Sequence, residues 1–178
     1  MKLIGTIIIL FFTFFSSEND NVKIEWNESK RLTWADFQGH PQGAADYVAS
    51  TNSGISFSFS YSEKNGKRNL EYTVKSNFYP KLSWYKPDLV SEYILKHEQA
   101  HFDISELYAR ILRKKLFEAN FSENLKEEIE QIYEGNEMER RATQNKFDDE
   151  TDHSKILENE YKWRKYIAEQ LELYEQWR

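Results

Sequence analysis

The stretch Lys96-His97-Glu98-Gln99-Ala100-His101-Phe102-Asp103-Ile104 holds the residues most suited to chemistry. Two histidines four apart, with a glutamate after the first, form the HExxH pattern. In an α-helix each residue advances about 100°, so His97 and His101 fall one turn apart on the same face. Both imidazoles then reach one metal ion, and Glu98 stands beside them, able to take a proton from a metal-activated water. The chemistry implied is zinc-assisted hydrolysis with Glu98 as general base. The chain has only four histidines, and two lie in this motif.

A catalytic zinc site takes three protein ligands and leaves a position for water, so a third donor is required. An extension placing glycine at 104 and histidine at 107 is absent, because the chain has Ile104 and Leu107 there. No glutamate between 123 and 150 is followed four residues later by aspartate, which removes another common source of the third ligand. Glu106 falls about 180° around the helix from His97 and faces away. His40 sits in a Gly/Pro-rich loop, where an exposed polar residue is expected. By elimination His153, in Phe147-Asp148-Asp149-Glu150-Thr151-Asp152-His153, is the expected third ligand, with Glu139 as the alternative. Asp103, Glu106 and Asp152 are candidates to orient the ligating imidazoles. Tyr108 lies near the His97 face and reads more readily as core than as a reacting group.

The elements that must position these residues follow from periodicity. Ile55, Phe57, Phe59 and Tyr61 alternate within a strand read over Ser50 to Ser62. Asn65-Gly66 is a hairpin-turn signal, and Asn69 to Phe78 answers as the partner strand, with Leu70, Tyr72 and Val74 on one face. Val22 to Trp26 reads as a short strand. From Asp88 the period becomes helical: one helix to about Phe117, a second capped by Ser122 and ending near Phe147, a third from about Ile156 to Trp177. A strand-rich front and a helical back predict an α+β domain over 22–178, with a small antiparallel sheet packed on a helical half that carries the HExxH helix.

Composition narrows the function further. The net charge is −6 with no concentrated basic block, which argues against nucleic acid as a partner. There are no cysteines, so disulfides, thiolate zinc sites and a cysteine nucleophile are excluded. Residues 1–17 read as a signal peptide or an N-terminal anchor: Lys2, then an almost wholly apolar run from Leu3 to Phe15, then Ser16-Ser17. Export to the periplasm, the membrane surface or the medium is expected.

Several segments together resemble DUF922, a family of predicted secreted zinc-dependent proteases of the HExxH type. They are Leu32-Thr33-Trp34-Ala35-Asp36-Phe37-Gln38-Gly39-His40-Pro41, Ser83-Trp84, the motif from His97 through Arg113-Lys114, and Phe147-Asp148 with Thr151-Asp152-His153. The resemblance implies a zincin-like fold, an exported bacterial protein, His97 and His101 as zinc ligands with His153 as the third, and Glu98 as the base. Ala100 and Ser154 stand where glycine is frequent in the family. One Zn2+ per chain and a peptide or protein substrate are the expected partners. The alternatives are a cell-surface binding protein with a structural zinc and a cell-wall amidase.

Overall fold

The computed structural model describes residues 22–42, 47–65 and 67–178. The segment read as a signal or anchor lies outside them. Among the described residues no helix is long and apolar enough to cross a membrane.

A long hairpin forms the front. β1 (Ile24–Glu25), β2 (Ala49–Ser50), β3 (Ser53–Lys64), β4 (Lys67–Phe78) and β5 (Trp84–Tyr85) make two antiparallel sheets, one ordered β1-β4-β3 and one pairing β2 with β5. Lys64 pairs with Lys67, so two residues link the long strands. Asn65 there has φ 54°, the left-handed conformation that asparagine tolerates and a tight hairpin turn requires. The register sets Phe57 against Val74 and Phe59 against Tyr72. One face of the hairpin is therefore apolar, and Ile55 and Val74 are buried with Ala109, Leu112, Leu116, Leu125 and Ile129 of the helices behind. Each of the isoleucine, valine and leucine side chains, once buried, contributes roughly 1.5–3 kcal/mol.

Three helices make the back: α1 (Glu92–Glu118), α2 (Leu125–Thr151) and α3 (Leu157–Leu173). The Ser91 hydroxyl accepts from the Ile94 N–H at 3.3 Å and caps the free end of α1. α1 packs against the hairpin, α2 and α3 at once. That enclosure buries residues around most of its circumference, His97, Glu98, Phe102, Ser105 and Arg110 among them.

α2 differs from expectation at both ends. Ser122 is not its N-cap: Asn124 holds that place, and the Ser122 hydroxyl accepts from the Asn124 N–H at 3.1 Å, ahead of the helix. The C-terminal end runs one turn past Phe147, to Thr151, and stops where Asp152 turns left-handed. Asp148 is thereby a helical residue and not part of a loop.

The segment around Trp34 is a 3-10 turn packed on the sheet ends. Phe37 is buried against Phe78, with ring centroids 5.0 Å apart, and Trp34 stacks on Tyr85 at 4.8 Å. Gly39 is required there, since a Cβ would lie 2.9 Å from the carbonyl oxygens of Lys81 and Ser83. This contact ties the Trp34 turn to the Ser83-Trp84 segment.

Candidate metal centre

α1 brings His97 and His101 together on the face turned toward α2. Their Nε2 atoms are 3.3 Å apart, and Asp148 Oδ1, from α2, lies 3.3 Å from the first and 3.0 Å from the second. Among the described residues, His97, His101 and Asp148 form a group whose donor atoms all lie within 4.8 Å of one another. Two nitrogens bound about 2.0–2.1 Å from a tetrahedral zinc would stand roughly 3.3–3.4 Å apart, so the donor set fits that ion.

The far side of each ring is anchored. His97 Nδ1 lies 2.9 Å from Glu160 Oε2, a carboxylate of α3 with no exposed surface. His101 Nδ1 meets Gln144 Oε1, and the other end of that amide donates to the His101 carbonyl at 2.8 Å. An oxygen acceptor at Nδ1 holds the proton there and leaves the Nε2 lone pair free for a metal. Phe147 stacks on His97 with centroids 4.5 Å apart and meets His101 edge-on at 5.0 Å, which fixes both ring planes.

The charges agree with a cation site. Burial opposes a charged His97, yet hydrogen bonds to Asp148 and Glu160 and the charges of Glu98 and Glu160 outweigh it, pushing its pKa up to about 9. Burial likewise opposes a charged Asp148, but its hydrogen bonds to His101 and His97 hold its carboxyl well below the usual carboxylate range. A positive charge between these groups is stabilised, carried by a proton or by a metal.

Glu98 is buried and lines the same cleft as the two histidines, and its Oε2 has no hydrogen-bond partner among the described residues. A buried, unpaired carboxylate oxygen is costly unless something in the cleft meets it. The cleft measures about 680 Å3. One wall is the run from Tyr47 to Ser53, which includes β2; the other is α2 with Arg140, Gln144 and Asp148.

His153 lines this cleft, its Nδ1 3.6 Å from Asp148 Oδ1, outside the three-residue group. The third donor brought to the two imidazoles is thus Asp148. Glu139 faces away and pairs with Lys115 at 2.8 Å. His40 is exposed and apart from the cluster. The three candidate carboxylates for orienting the imidazoles have other partners. Asp103 accepts from Trp26 at 2.7 Å and Arg31 at 2.9 Å, Glu106 pairs with Arg110 at 3.0 Å, and Asp152 faces Lys155 at 3.4 Å. Tyr108 shares a hydrogen bond with Thr143 at 2.7 Å.

Signals for the missed residues exist. Glu160 precedes Trp163 and Ile167 at helical spacing, a carboxylate on an otherwise apolar stripe. Gln144 and Asp148 fall one turn apart on the α2 face that also carries buried Arg140 and Thr151, once the helix is read to its full length.

Among the described residues the protein is α+β, with small antiparallel sheets, three α-helices and a His-His-Asp cluster between the first two helices. The sequence profile of the family described as bacterial protein of unknown function (DUF922) matches residues 32–154, more than half of the chain, and the chain belongs to that family. No curated protein and no solved structure matches it.

Proposed function

We propose that this chain is an exported zinc-dependent peptidase of zincin-like type, in which His97, His101 and Asp148 hold one zinc ion and Glu98 is the general base. The observation that carries the reading is the convergence of two Nε2 atoms and one carboxylate oxygen within 3.0–3.3 Å, with each ring locked from behind by Glu160 or Gln144. Asp148 takes the third place in this reading, ahead of His153, because among the described residues it alone groups with both imidazoles that closely.

Zinc bound by these residues supplies Lewis acidity toward a water and toward the scissile carbonyl oxygen. Glu98 accepts the proton of the attacking water and passes it to the leaving nitrogen. Its unpaired Oε2 supports that role. Glu160 and Gln144 accept at Nδ1 of each ring and so keep the Nε2 atoms turned toward the metal position. The open cleft accommodates a peptide segment, and the apolar run from Leu3 to Phe15 supports export.

The test is zinc per chain together with hydrolysis of unfolded casein, for the parent, Glu98→Gln and Asp148→Ala. One zinc in the parent and in Glu98→Gln, with hydrolysis only in the parent, is the expected result. Asp148→Ala should bind zinc at least tenfold more weakly. Hydrolysis surviving Glu98→Gln would remove the base. Undiminished zinc in Asp148→Ala would remove the third donor. Zinc without hydrolysis of any peptide would leave a structural site, or an amidase to be sought on cell-wall peptides.

A further inference from the structure

Three successive residues after α2, none of them glycine, have left-handed backbones: Asp152 with φ 45°, His153 with φ 51° and Ser154 with φ 73°. Each such residue costs on the order of 1 kcal/mol or more, so the surrounding structure must hold the turn in place. It does so from several sides. The His153 N–H donates to the Asp148 carbonyl at 2.9 Å, and the Ile156 N–H to the Thr151 carbonyl at 2.8 Å. The Tyr93 hydroxyl, from α1, donates to the Ser154 carbonyl at 2.7 Å. The effect of this strained and clamped turn is to set one imidazole, that of His153, in the lining of the cleft.

That imidazole is placed unlike the two beneath it. His97 and His101 have their second ring nitrogens fixed by an oxygen acceptor, as ligating histidines almost always do. His153 has no such anchor among the described residues. Its Nδ1 lies 3.6 Å from Asp148 Oδ1, and its ring meets Tyr47 of the opposite wall edge-on, centroids 5.0 Å apart. Its side chain remains 39% exposed while those of His97 and His101 are 5% and 12% exposed. It is a part-exposed donor beside the metal group, lining the same cleft.

We propose that His153 is a catalytic residue that binds substrate and not metal: its ring N–H donates a hydrogen bond to the scissile carbonyl oxygen as that oxygen gains negative charge. This rests on the peptidase reading above. A donor carried on a fixed backbone meets developing charge with little reorganisation, and the clamped turn fixes that backbone.

The experiment uses the full zinc-loaded chain with His153→Ala and His153→Gln. Zinc content and the visible spectrum of the cobalt-substituted protein report the metal donors. Casein hydrolysis and the affinity for N-phosphoryl-leucyl-tryptophan, whose tetrahedral phosphoryl group carries an anionic oxygen, report the oxyanion. The expected result is unchanged zinc and an unchanged cobalt spectrum in both variants. His153→Ala should lose about 10²-fold in kcat and a similar factor in affinity for the phosphoryl dipeptide. His153→Gln, which keeps an N–H donor, should recover part of both. Loss of zinc or an altered cobalt spectrum would overturn the proposal and make His153 a ligand. Unchanged hydrolysis and binding in His153→Ala, with an active parent, would overturn it alone. A zinc-loaded parent that neither cleaves casein nor binds the phosphoryl dipeptide would sink the peptidase reading with it.

Discussion

His97 Nδ1 lies 2.9 Å from Oε2 of Glu160, a carboxylate 63 residues away with no surface exposed to solvent. Its other oxygen accepts from Arg164 at 2.7 Å, so the chain from Arg164 through Glu160 to His97 is continuous. Replacing Glu160 with alanine removes the acceptor that orients the ring. Zinc affinity should fall 10–100-fold, measured by competition with a chromophoric chelator. Glu160→Gln, which keeps an acceptor oxygen, should lose less. Equal affinity in all three proteins would show that the carboxylate does not orient the ligand.

Without metal, stability should fall as pH rises, and the increment that zinc adds should grow over the same range. Without metal, His97 has a folded pKa of about 9 against an ordinary 6.5, because the carboxylates around it outweigh its burial. A raised pKa means stability that is complete below pH 6.5 and is lost as pH rises toward 9, by roughly 3 kcal/mol. Asp148, held low, contributes stability present above the usual carboxylate range and lost in strong acid. Zinc displaces the proton on His97, so its binding strengthens over the same rise in pH. Thermal unfolding in EDTA should therefore move to lower temperature from pH 6.5 to 9, while the increment given by zinc grows. A flat profile in EDTA would mean that His97 is neutral throughout.

Phe147 couples the metal centre to the core. It is fully buried and touches His97, His101 and Trp163, the last with centroids 5.6 Å apart. Phe147→Ala should cost about 3–5 kcal/mol in urea unfolding, from lost burial and the cavity left behind. A cost below about 1 kcal/mol would show that the contact closes up easily.

Ser154 adopts φ 73°, a conformation glycine takes freely. Ser154→Gly should stabilise the protein by about 0.5–1 kcal/mol, since the relief of strain exceeds the entropy glycine adds to the unfolded chain. Ser154→Ala, which keeps a Cβ, should not. The comparison is made by urea unfolding, and destabilisation by glycine would show that the turn is not strained at this position.

The motif, its helix and the hairpin were legible because each is a local pattern. Two histidines one turn apart need only a helix, and alternating Ile55, Phe57 and Phe59 need only a pleated strand with one buried face. Other features were settled by partners distant in the chain. Ser122 has the chemistry of a cap, yet α2 begins after Asn124, because local preference does not fix which residue near a helix start takes that place. Asp148 is one acid among several in its stretch of sequence, and only the packing of α2 on α1 sets its oxygen 3.0 Å from His101. Glu160 reads as a misplaced charge in an apolar stripe, and only the approach of α3 to α1 gives it His97 as a partner. Local periodicity dictates which residues can share a helical face or a strand face, since those periods are built into the backbone. Which carboxylate meets which imidazole was decided by the tertiary structure alone, because a donor set depends on distances between helices that no local spacing encodes.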